Sequence, residues 1–199
     1  AQQFYGVTPD LRSMAKILAG GLPGGCLAGR ADILAFIEPR PGKPKMKHPG
    51  TYNANPLSAA AGVAMLTRVA TGEPCRRANA AAVRLRNGLN TLFADRDWPM
   101  AAYGDFSMVR VILGYHGPRP NPGAGVNDGI IPLGGDVNTL DGPKNAKQLN
   151  ALRQAMLLNG VDWWGFAGMT SAAHAADVID HTVTAFAAAV EDLKAEGLA

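Results

Sequence analysis

The chain has 199 residues, 47% hydrophobic and 18% charged, with a formal net charge of +3. That length buries a sizeable core in one or two domains, and the apolar share excludes wholesale disorder and collagen-like repeats. Cys26 and Cys75 are too few for a disulfide scaffold or a four-thiolate zinc site, no apolar run reaches the roughly 20 residues of a membrane helix, and scattered basic residues argue against nucleic-acid binding.

The start, Ala1 to Gly6, has neither the basic nor the apolar stretch of a signal peptide, which points to a cytoplasmic protein. Ala1 in place of an initiator methionine suggests a processed or partial chain. Gly25 to Ala28 reads as a buried strand and Ala31 to Ile37 as a helix. The stretch 38–50 carries Pro39, Pro41, Pro44 and Pro49 among Arg40, Lys43, Lys45 and Lys47, and reads as a solvated loop. Asn55 followed by Pro56 is a helix start, because Asn caps the first amides and Pro at the first position gives up no intrahelical bond. The helix runs from Leu57 to Val69, and its small side chains let backbones approach closely. Thr71 and Gly72 stop it.

A long helix follows from Glu73 to about Phe93, with Leu85, Leu89 and Leu92 on one face. Arg76, Arg77, Arg84 and Arg86 decorate it and are expected to face solvent. Ser107 to Leu113 alternates and reads as a strand. Residues 114–143 are rich in Gly and Pro and read mostly as loop, with a turn at Gly134 and Gly135; Gly123, Ala124 and Gly125 have no strand-to-helix context for a dinucleotide fingerprint. A helix from Asn145 to Leu158 ends before Gly160. The last helix begins near His174, buries Ile179, Val183, Phe186, Val190 and Leu193 as one stripe, and closes at Gly197. Helices and strands mixed in this order fit an α/β architecture better than a bundle.

Two stretches carry chemistry. Lys16 stands between apolar residues just before Gly20, Gly21, Gly24 and Gly25. Desolvation there would disfavour the ammonium form and yield a neutral nucleophile able to condense with a carbonyl, a Schiff-base lysine; the alternative is a structural lysine at a strand end. The second stretch, His48 to Pro56, puts Gly50 and Thr51 on a loop just ahead of a helix, where a hydroxyl and exposed amides suit a phosphate; the alternative is a capped turn. His48, His116, His174 and His181 lack metal-ligand spacing, so no metal site is expected. Cys26 is expected to be buried beside the Lys16 region. Trp163 and Trp164 either wall a pocket or divide between core and surface. Arg110 is either a carboxylate partner or a surface residue.

Together, Thr8-Pro9-Asp10-Leu11 with Lys16-Ile17-Leu18-Ala19-Gly20-Gly21-Leu22-Pro23, and Gly50-Thr51-Tyr52 with Asn55-Pro56-Leu57 placed 35 positions after the lysine, resemble the class III, fold-type I pyridoxal-phosphate aminotransferases. The likeness is strongest to the branch containing glutamate-1-semialdehyde 2,1-aminomutase. Ser171 to His174, followed by Asp177 to Thr182, is similar to the start of that family's final helix. The resemblance implies the C-terminal half of such an enzyme: residues 1–70 as the end of the large cofactor-binding domain, and 71–199 as a linking helix and a small α/β domain. It also implies pyridoxal 5'-phosphate as cofactor, Lys16 as its anchor, Gly50 and Thr51 at its phosphate, and a homodimer in which Thr51 reaches the neighbouring subunit's cofactor. Asn53 and Asn55 are expected to hold the loop and cap the helix.

Whole enzymes of this family are much longer, and their upstream half supplies a phosphate loop, a stacking aromatic residue and an aspartate at the ring nitrogen. None of these is matched here, so the chain alone is expected to be inactive. The family's aminomutases carry a glutamate where Phe166 stands, which favours a related aminotransferase acting on a small amine or amino acid and a carbonyl acceptor. Alternatives are a non-catalytic or assembly fragment of the scaffold, or a racemase or decarboxylase sibling.

Overall fold

The computed structural model describes residues 2–39, 41–120, 131–142 and 144–198. Arg40 and the Gly123, Ala124 and Gly125 loop lie outside the described residues. The chain forms two compact units, Ala1–Gly72 and Glu73–Ala199.

In the first unit a short helix α1 (Gln2–Tyr5) precedes two antiparallel strands, β1 (Leu11–Met14) and β2 (Cys26–Gly29), in register from Leu11 opposite Gly29 to Met14 opposite Cys26. A 3-10 turn, Lys16–Ala19, lies between them and is closed by Gly20 in the left-handed region, φ 63°. Helix α2 (Ala31–Leu34) runs on into a 3-10 turn, Ala35–Ile37. Helix α3 (Pro56–Val69) starts as the sequence dictates: the Asn55 side chain accepts from the amides of Leu57 and Ser58 at 3.0 and 3.2 Å, and Pro56 follows at the first position. Its small face meets the Lys16–Ala19 turn, because a Cβ on Gly62 would stand 3.1 Å from the Leu18 carbonyl oxygen.

The strand at Gly25 to Ala28 forms, shifted by one residue, but it is not buried, and Cys26 is exposed rather than buried. Among the described residues its one strand partner is β1, and a two-stranded ribbon brings no second layer to cover its faces. The outer face of α3 is likewise open, with Leu57, Val63 and Leu66 exposed.

The second unit holds the main core. Helix α4 (Glu73–Asp95) leads to β3 (Met100–Tyr103) and β4 (Met108–Leu113); after α5 (Val137–Leu140) and α6 (Ala146–Leu158), strand β5 (Ala167–Met169) completes an antiparallel sheet ordered β3-β4-β5, and α7 (Ala176–Ala195) ends the fold. Alternation puts Val109 and Val111 on the inner face against Leu85, Leu89 and Phe93 of α4 and Phe186 and Val190 of α7. Three details differ from the sequence reading. Strand β3 was not expected, and the stretch read as loop holds a 3-10 turn, Pro132–Gly135, and α5. Arg86 does not face solvent: it is half-buried and donates to the carbonyls of Met108 at 2.6 Å and Phe106 at 3.3 Å, and burial pulls its pKa down. It closes the open end of the β3–β4 connection, whose carbonyls need a donor.

Candidate active site

Lys16 opens the 3-10 turn after β1, with a left-handed φ of 58°. Together with Gly20, Gly21, Gly24 and Met65 it lines an open depression of about 730 Å³. The glycines keep this surface low: a Cβ on Gly21 would meet nothing within 4 Å, whereas Gly20 has its close neighbour on the α3 side, the Ala61 carbonyl oxygen at 3.1 Å. Lys16 is exposed. Its apolar sequence neighbours do not bury it: Ile17, next in sequence, is itself 67% exposed.

The second stretch is a tight loop. The Asn53 amide donates to the Gly50 carbonyl at 3.0 Å, the Asn53 side chain donates to the His48 carbonyl at 2.9 Å, and the Asn55 amide donates to the Tyr52 carbonyl at 3.2 Å. Gly50 suits its place because a Cβ there would stand 2.6 Å from Asn53 Oδ1. Asn53 and Asn55 thus hold the loop and cap α3, and Thr51 is left exposed at the turn. Neither Gly50 nor Thr51 lines the Lys16 depression.

In the second unit the two adjacent tryptophans part company. Trp163 is 3% exposed and packs edge-on against Phe186 with ring centroids 5.8 Å apart, while Trp164 is 70% exposed. They do not wall one pocket: as consecutive residues they point to opposite sides, one indole into the core and the other out. Arg110 lies on the floor of a separate cleft, 3.8 Å from Asp141, and Phe166 also lines it. Tyr103, Asp141 and Lys144 of this cleft were not picked out from the sequence. Tyr103 sits on the strand that was not foreseen, and its register partner is Arg110.

The family model described as aminotransferase class-III matches residues 1–101, more than half of the chain. The chain belongs to the class III aminotransferases. Glutamate-1-semialdehyde 2,1-aminomutase of Pyrobaculum arsenaticum is 30% identical to it over 98% of this chain and 42% of the relative. An omega-transaminase from Sphaerobacter thermophilus superposes with a TM-score of 0.77 at 26% identity, covering 97% of this chain and 41% of that one. A transaminase with PLP bound gives 0.74 at 26% identity over 100% of this chain and 42% of the other. The fold is that of the fold-type I transaminases, and the chain spans about 42% of the length of the curated relatives it matches.

Proposed function

We propose that this chain is the lysine-bearing part of a pyridoxal-phosphate-dependent enzyme that moves an amino group between a small amine or amino acid and a carbonyl acceptor. The observation that carries the reading is Lys16, exposed on a glycine-lined depression within the stretch matched to class III aminotransferases. The donor set fits the cofactor: a primary amine for an aldehyde, and the Thr51 hydroxyl on an exposed loop for a phosphate. When bound, the cofactor supplies an electron sink for the carbanion at the substrate carbon beside nitrogen. Lys16 would hold it through Nζ, and the same amine would carry the proton away from the substrate carbon beside nitrogen and on to the cofactor carbon that receives it. Gly50 allows the turn that presents Thr51.

Thr51 is absent from the Lys16 depression, which supports its serving the cofactor of a second subunit in a homodimer. Lys16 is exposed, which supports a need for further polypeptide over it and an inactive isolated chain. We place the end of the large domain in residues 1–70 and the linking helix and small domain in 71–199. Two exposed free thiols, Cys26 and Cys75, suit the cytoplasm. No described helix is long and apolar enough to cross a membrane.

Borohydride reduction of the full-length protein with pyridoxal phosphate, followed by peptide mapping, tests the assignment. Lys16 is expected to carry the label, and an amino donor to shift the cofactor absorbance. A label that never reaches Lys16 overturns it. The exposure of Lys16 also favours a second reading, a non-catalytic assembly fragment of the same scaffold, for which no donor-dependent shift is expected.

A further inference from the structure

The second unit carries a cleft of about 410 Å³ over the outer face of its sheet. Tyr103 and Arg110 are directly opposed on β3 and β4, and both line it, with Phe166 and Leu149 as its apolar flank and Asp141 and Lys144 at its edge. Lys144 is committed elsewhere, donating to the carbonyls of Thr139 and Leu140 at 3.1 and 2.9 Å. Arg110 is not: among the described residues its guanidinium has the Asp141 carboxylate alone, at 3.8 Å, outside hydrogen-bond length, with the two side chains 43% and 76% exposed. Such a pair contributes little and yields readily to a better partner. The Tyr103 hydroxyl makes no hydrogen bond to the described residues, and burial pushes its phenol up, opposed by the nearby guanidinium, so it stays a donor at neutral pH. A guanidinium and a phenol side by side, both with donors to spare, are built for two oxygens of one planar anion.

We propose that this cleft binds a small carboxylate with an apolar tail, the carboxylate on Arg110 and Tyr103 and the tail against Phe166 and Leu149. Asp141 then acts as a weak internal competitor that the ligand displaces. The inference concerns the second unit alone and does not rest on the cofactor reading.

Titration calorimetry of the 199-residue chain with 4-phenylbutyrate, beside the uncharged 4-phenylbutyramide, reads it directly. The acid is expected to bind at least ten-fold more tightly than the amide. R110M is expected to lose ten-fold or more, Y103F several-fold, and D141N to tighten binding several-fold by removing the competitor. Circular dichroism checks each fold. No binding of the acid, equal binding of acid and amide, or an R110M variant that binds as well as the parent overturns the proposal. Should R110M unfold, unchanged affinity in both Y103F and D141N overturns it.

Discussion

Asn90 and Ala102 exchange two hydrogen bonds in the core of the second unit: Asn90 Nδ2 donates to the Ala102 carbonyl at 2.8 Å, and the Ala102 amide donates to Asn90 Oδ1 at 2.7 Å. Strand β3 is at one edge of its sheet, with β4 on the other side, so its outward backbone groups have no strand to pair with. One side-chain amide on α4 takes that place and lets the edge be buried. N90L removes both bonds and leaves a buried amide and carbonyl without partners, each costing about 1–3 kcal/mol. The expected loss is about 2–6 kcal/mol, read as a lower urea midpoint with unchanged slope.

What the sequence discloses about this molecule follows how local each determinant is. The start of α3 is written in Asn55 and Pro56, and the stripes of α4 and α7 in their apolar spacing; these form where expected, with Leu92 and Val183 only partly buried at the margin of the core. Strand β3 is not written locally. Met100-Ala101-Ala102-Tyr103 lacks alternation, and it becomes a strand because β4 and Asn90 satisfy its backbone. Burial is less local still. Cys26 and Lys16 sit among apolar sequence neighbours, yet both are exposed, since sequence neighbours do not cover a side chain and a second layer does. The sequence offers Arg110 as a carboxylate partner or a surface residue, but its cleft depends on a cross-strand pair with Tyr103 that composition does not reveal.

The pH dependence of stability is expected to show Asp180. Arg84 donates to both its oxygens, Nε at 2.8 Å and Nη2 at 2.6 Å, and this pairing holds the Asp180 carboxyl below its usual range. A carboxyl whose folded pKa is depressed stabilises the fold above its unfolded value, about 3.9, and that contribution is lost as pH falls through the lower folded value. Both side chains are more than half exposed, so the effect is small and weakened by salt. D180N is expected to be slightly less stable than the parent at pH 7 and equal to it in strong acid. Thermal midpoints across pH 2–7 at low and high salt check this; a difference that persists in acid or in high salt contradicts the ion-pair account.

Trp163 offers a test of burial against hydrogen bonding. Its indole is in the core, but its Nε1 is buried without a hydrogen-bond partner among the described residues. W163F removes that unpaired donor along with part of the ring, so the lost packing is partly offset, and about 1 kcal/mol of destabilisation is expected. W163A leaves a cavity beside Phe186 with nothing to offset it, and about 3–5 kcal/mol is expected. Chemical denaturation of the two variants decides it. If W163F costs as much as W163A, the indole nitrogen has no part in the balance.

Lys16 occupies a backbone conformation that its side chain does not favour. A φ of 58° in a residue with a Cβ costs roughly 1–2 kcal/mol, and glycine there escapes it. Strain of this kind gathers where a side chain serves a function rather than the fold. Because Lys16 is exposed, K16A keeps the strain and loses no packing, so its stability is expected within about 0.5 kcal/mol of the parent. K16G relieves the strain and is expected to be about 1 kcal/mol more stable than K16A. Both remove the amine, so neither retains borohydride-trapped cofactor at this position. Urea denaturation of the three proteins measures the first part and peptide mapping the second. A loss of more than about 2 kcal/mol in K16A, well beyond the usual surface range, would make Lys16 a structural residue and remove the ground for reading it as the reactive amine.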